Sequence, residues 1–133
     1  MFRFLVSSEE AGGSYTTMEI TVPPGEGANP HFHPNEEEQF YVLCGELTYE
    51  VDGETIRVGS GDFVHIPRGA VHSFKNEADQ AKLLATFGPG TGIERAFLDG
   101  AVLMEQDAAY GVEQVRPPDD SASHRQDANL RWL

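Results

Sequence analysis

His31 and His33 stand one residue apart in the segment HFHPNEEEQFYVLCG, which spans residues 31–45. Side chains alternate along an extended backbone, so the two imidazoles share a face while Phe32 points away. Pro34-Asn35 is a turn signal, and Glu38 then leads into an aromatic and branched run that reads as a strand. If the chain doubles back at that turn, the Glu38 carboxylate faces the imidazole pair. Two imidazoles and a carboxylate suit a borderline divalent ion such as iron, nickel, zinc, cobalt or manganese. The same residues also read as surface histidines beside a solvated acidic run, Glu36-Glu37-Glu38, and only the rest of the chain can decide between the two.

A second segment, Val71-His72-Ser73-Phe74, favours the metal. His72 follows a Pro67-Arg68-Gly69 turn and opens a strand, so a third imidazole can be set opposite the first strand pair, with Phe74 next on the same face. Three neutral imidazoles and one carboxylate leave one or two positions open on a five- or six-coordinate ion.

Short strands position these residues. Phe2 to Val6 is a brief apolar run. Thr16 to Val22 alternates, with Met18, Ile20 and Val22 on one face. Gly25 to Pro30 has loop composition and delivers the chain to His31. After Gly45, Glu46 to Val51 and Glu54 to Val58 flank Asp52-Gly53, a dipeptide suited to a two-residue hairpin turn because both positions need positive φ. Strands follow at Asp62 to Ile66, Val71 to Lys75 and Lys82 to Phe87. This spacing, punctuated by Gly and Pro, indicates an all-β closed barrel or sandwich rather than βαβ units. Thr91-Gly92-Ile93-Glu94 has the form of a capping box, and helical pieces are expected at 91–98 and from Ala101 or Val102 to Tyr110. The expected organisation is a single domain over residues 1–116 with a polar tail over 117–133.

The chain has 133 residues, enough to bury roughly two-thirds of the surface its unfolded form exposes. The single cysteine, Cys44, cannot make an internal bridge, and its place at the end of an apolar strand suggests a small buried thiol and a reducing compartment. No apolar run is long enough for a secretory signal or a membrane span, so a cytoplasmic location is expected. With 9 Lys and Arg against 22 Asp and Glu, the formal charge is -13, which repels nucleic acid and anionic membranes. Outward apolar residues such as Tyr41 and Leu43 lead to the expectation of a homodimer.

The two segments together resemble the cupin family. Its first motif is matched as Gly25-x5-His31-x-His33-x4-Glu38-x6-Gly45, and its second as Gly61-x5-Pro67-x-Gly69-x2-His72-x3-Asn76. The resemblance covers roughly residues 14 to 111 and implies a double-stranded β-helix, or jelly-roll, barrel with short C-terminal helices. It also implies one divalent transition metal per chain, held by His31, His33, Glu38 and His72. Glu37 is the rival for the carboxylate, but the six-residue gap to Gly45 favours Glu38, which leaves Glu36 and Glu37 as solvated loop carboxylates. His65 reads as a packed or surface imidazole. Phe40, Val42 and Phe74 share strand phase with a ligand and are candidates for a substrate pocket, with Met18 and Ile20 beside them. Tyr41 and Tyr49 fall on the opposite phase, suggesting packing or a subunit interface.

Three functions fit such a site and a small-molecule substrate. The resemblance to quercetin dioxygenase-like cupins implies oxygen-dependent cleavage of a small aromatic, enediol or flavonol-like substrate, with Glu38 as both ligand and catalytic base. The resemblance to polyketide cyclase-like cupins implies Lewis-acid cyclisation or isomerisation without redox chemistry. The third is a barrel that binds a metal or small molecule without catalysis.

Overall fold

The computed structural model describes residues 1–89, Ile93 and the backbone of a short strand at Glu113–Gln114. Ten strands are seen among these residues: β1 (Phe2–Val6), β2 (Thr16–Val22), β3 (Gly27–Phe32), β4 (Glu37–Cys44), β5 (Glu46–Val51), β6 (Glu54–Gly59), β7 (Phe63–Ile66), β8 (His72–Lys75), β9 (Ala81–Gly88) and β10 (Glu113–Gln114). They form two five-stranded sheets, ordered β1-β2-β9-β4-β7 and β10-β3-β8-β5-β6. Every pairing is antiparallel. This is the jelly-roll barrel that the resemblance to the cupin family implies. Among the described residues, no helix is long and apolar enough to cross a membrane. Ile93 is helical and buried in the core, whereas the remainder of the two expected helices and the 117–133 tail lie outside the described residues.

Strand register stacks the interior in layers. Across the first sheet, Thr16, Phe87, Glu38 and Ile66 make one row; Met18, Ala85, Phe40 and Val64 make the next; Ile20, Leu83 and Val42 make the third. Across the second sheet, His31, His72 and Val51 align, and beside them Ala28, Phe74 and Tyr49. The polar row of each sheet thus lies next to an apolar one. The second layer closes across the barrel through aromatic rings, with Phe40 5.5 Å from Tyr49 and 6.2 Å from Phe74. Fully burying each such side chain is worth about 1.5–3 kcal/mol, so this layer is a firm floor beneath the polar one.

Two expectations about the strands fail, each at an irregularity in the ladder. The Gly25 to Pro30 segment is not all loop, because β3 begins at Gly27 and pairs with β8. That strand carries an irregularity between Ala28 and His31, where Asn29 and Pro30 interrupt the ladder; Pro30 has no N–H to donate and tolerates the break. Cys44 is exposed rather than buried. Val42 pairs with Leu83 and Cys44 with Lys82, so Leu43 is an extra residue and Cys44 is turned out of the phase of Val42. Of the two tyrosines expected to pack or to line an interface, Tyr49 is packed wholly inside the barrel and Tyr41 is exposed on the outer face.

Gly45 joins β4 to β5 with φ +84°, and a Cβ there would stand 2.7 Å from Ala81 Cα and 2.9 Å from the Gln80 carbonyl oxygen. Gly53 has the same φ in the hairpin turn but open space around it. Gly45→Ala should therefore destabilise by about 2–5 kcal/mol, from left-handed strain plus overlap, against about 1–2 kcal/mol for Gly53→Ala. Urea titration of the two variants measures the difference.

Candidate metal centre

His31, His33, Glu38 and His72 are brought together, all buried, with one potential ligand atom from each lying within 4.8 Å of the others. Both sheets contribute: Glu38 comes from β4 of the first, His31 and His72 from directly paired positions on β3 and β8 of the second. The break at Asn29-Pro30 sets the phase that turns His31 inward. His33 follows the end of β3, and its carbonyl accepts a hydrogen bond from Gly69 N–H at 3.0 Å, which ties it to the turn before His72.

Each imidazole has its Nδ1 engaged outside the cluster. His31 Nδ1 donates to the Asn29 carbonyl at 2.6 Å, and His72 Nδ1 donates to the Ala70 carbonyl at 2.9 Å. A carbonyl only accepts, so both Nδ1 atoms carry a proton, and Nε2 is the nitrogen each neutral ring would offer to an ion. His33 differs, since its Nδ1 lies 3.2 Å from Glu36 Oε2. Glu38 divides its two oxygens: Oε1 is 3.1 Å from His33 Nε2, and Oε2 contacts His72 Nε2. Neither Glu38 oxygen nor His72 Nε2 is exposed to solvent. A buried carboxylate clustered with three imidazole nitrogens, each ring held from behind, is a donor set that fits a divalent transition ion.

Electrostatics follow from this packing. Burial opposes ionisation of Glu38, but the charges on His33 and His72 and their hydrogen bonds outweigh it and hold the carboxyl well below the usual carboxylate range. Burial also opposes a charge on His33, yet Glu38 and Glu36 together raise its pKa to about 10. Burial first, then the charge on His72, lower the pKa of His31 to about 3. Tyr49 is pushed well above the usual phenol range by burial and by the negative charge of Glu38. Its hydroxyl has no hydrogen-bond partner among the described residues.

The other candidates fall into place around this cluster. Phe40, Phe74 and Met18 belong to the layer next to it, and Val42 and Ile20 to the layer beyond; all five are buried in the core. His65 is half-exposed on the outer face, 3.6 Å from an equally exposed Glu37. Glu36 departs from expectation. It is buried, with 1% of its surface accessible, and not a solvated loop carboxylate. The bend at Pro34-Asn35 returns the chain so that Glu36 meets the histidine three positions earlier. Its i+3 spacing from His33 across a Pro-containing turn was the one available signal, masked by the two acidic neighbours. Tyr49 was likewise missed as a neighbour of Glu38, because its own strand phase says nothing about which side of the sheet is inside.

A buried imidazole–carboxylate cluster that could hold a metal ion, at one level of a jelly-roll barrel, points to the cupin class, and sequence comparison agrees on the family. The cupin domain family matches residues 18–87, and the chain belongs to that family. Among individual relatives, quercetin 2,3-dioxygenase of Bacillus subtilis is 29% identical over 90 residues, covering 68% of this chain and 27% of its own length. Polyketide synthase CurC of Streptomyces cyaneus is 39% identical over 79 residues, covering 59% of this chain and 51% of its own. The chain thus spans about a quarter of the first relative and half of the second. Among solved structures, a Thermotoga maritima protein described as a predicted oxalate decarboxylase aligns with TM-score 0.64 and 26% identity, covering 66% of this chain and 78% of the other.

The two shifted histidines pull stability in opposite directions with pH once any metal is removed by chelation. His31 is depressed from 6.5 to about 3, so its unfolded form takes up a proton first and stability falls as pH drops below 6.5 towards 3. Glu38, also depressed, adds to that loss as pH falls further. His33 is raised to about 10, so its contribution is complete below 6.5 and is lost as pH rises through 10. Chelated protein should be most stable near pH 6.5 and lose stability on both sides, as thermal unfolding across the pH range would show. A second expectation concerns Tyr49. Tyr49→Phe should leave the unfolding midpoint unchanged or raise it, because it removes a buried hydroxyl without an acceptor, a defect worth about 1–3 kcal/mol.

Proposed function

We propose that this chain holds one divalent transition metal, iron, nickel, manganese, cobalt or zinc, through His31, His33, Glu38 and His72, and that it is a dioxygenase for a small aromatic or enediol substrate. The observation that carries the metal is the convergence of four buried ligand atoms whose imidazoles are anchored through Nδ1. Likeness to quercetin 2,3-dioxygenases supports the reaction class: besides the Bacillus protein, that of Aspergillus japonicus is 29% identical over 104 residues. A bound ion of this kind supplies Lewis acidity and, where redox-active, a route for O2 chemistry.

The residues themselves do the remaining work. Glu38 is ionised at neutral pH and has two oxygens, so one can coordinate while the other accepts the proton of a substrate hydroxyl. His31 and His72, fixed by backbone carbonyls, hold their Nε2 atoms on one side of that carboxylate. The apolar floor of Phe40, Phe74 and Tyr49 excludes water from below. The likeness to CurC supports a second reading, non-redox cyclisation or isomerisation of a polyketide-like substrate on the same site, with Glu38 again the base.

Elemental analysis of protein purified without added metal or chelator, with an oxygen-electrode assay on flavonols and enediols, separates these readings. Near-stoichiometric iron, nickel, manganese or cobalt with O2 uptake is the expected result. Stoichiometric zinc without O2 uptake favours the cyclase or isomerase. His33→Ala should lose most of the bound metal yet keep a cooperative unfolding transition, since the core lies in the layers beyond it. Full metal occupancy in that variant overturns the ligand assignment.

A further inference from the structure

Glu36 has no place in the four-ligand set, yet its side chain is wholly buried. A carboxylate taken from water costs several kcal/mol unless it is paired, and one serving only the fold is normally met by a guanidinium or by backbone N–H groups. The contact recorded for Glu36 is instead the imidazole of His33, whose opposite nitrogen faces Glu38. Neither of its oxygens makes a hydrogen bond of full geometry among the described residues, so the 3.2 Å approach to His33 Nδ1 is a close charge contact.

The three histidines are therefore not equivalent. His31 and His72 give their Nδ1 protons to neutral carbonyls, while His33 faces an anion. An anionic acceptor pulls harder on the Nδ1 proton and makes Nε2 a stronger donor. It also supplies a second negative charge, so that a divalent ion together with Glu38 and Glu36 forms a neutral group in an apolar interior.

Resting on the metal reading above, we propose that Glu36 is a positioning residue for the metal: it orients His33, strengthens it as a ligand and completes the charge balance of the site. Affinity and the electronic character of the bound ion then depend on a residue that does not touch it.

The test uses Co(II) as the probe, titrated against a chromophoric chelator into wild-type, Glu36→Gln and Glu36→Ala protein, with visible absorption recorded on each complex. Glutamine keeps an acceptor oxygen for Nδ1 but not the charge; alanine keeps neither. The expected order of affinity is wild type, then Gln, then Ala, with Glu36→Gln weaker by 10- to 100-fold and its absorption bands displaced from those of the wild type. Equal affinity and identical spectra in all three overturn the proposal. So does wild-type affinity in Glu36→Gln alone, since the charge then contributes nothing, and so does loss of the folded state in both chelated variants, which assigns Glu36 to folding. Folded wild-type protein that binds no Co(II) would instead defeat the metal reading itself, and the two failures are told apart by the wild-type titration.

Discussion

The bridge that Glu38 makes to His33 and His72 is the constraint on which the rest of the structure depends. A carboxylate with no solvent contact in a barrel of Phe, Leu, Ile and Val is held only by groups that answer its charge. Those groups arrive on the opposite sheet, so two sheets must close around one point before either is satisfied. The layering of the interior follows from this demand. Polar side chains gather in one row, and the rows beyond it are apolar and tightly ringed, which keeps the local dielectric low and makes each contact in the cluster strong.

Placement of the imidazoles is a matter of backbone more than of side chains. His31 and His72 are opposite partners in one β ladder, and each rests its Nδ1 on a carbonyl two residues earlier. The rings therefore cannot turn without losing a hydrogen bond, and their Nε2 atoms are aimed before any ion arrives. This is preorganisation at low conformational cost, because the anchoring groups already belong to rigid strands or their ends. His33 is the exception in being anchored by a side chain, Glu36, reached through the Pro34-Asn35 bend. That one substitution of a carboxylate for a carbonyl gives the cluster its uneven charge distribution.

Much of this was legible in the chain. Glycine at 45 and 69, proline at 67 and the histidine spacings are local features, and local features are what a strand-and-turn reading can resolve; the hairpin at Asp52-Gly53 forms with Asp52 and Gly53 both at positive φ. Where the reading went astray, period-two alternation was broken. The extra residue at Leu43 reverses the facing of Cys44, and the break at Asn29-Pro30 interrupts a strand whose composition reads as loop. A bulge has no strong compositional mark, so phase counted from the sequence drifts past it.

Glu36 and Tyr49 teach a different lesson. Both are ordinary in sequence, one in an acidic run and one in a strand of alternating pattern, and both lie inside the barrel beside Glu38 or its partner. By itself the sequence determined the all-β class and the turn positions, because these rest on spacing within short segments, and the four residues that converge were implied by its resemblance to the cupin motifs. Only the tertiary structure decided which of three consecutive glutamates face the interior and how each histidine is anchored. Burial and charge pairing across two sheets are properties of the closed barrel, and no stretch of chain carries them alone.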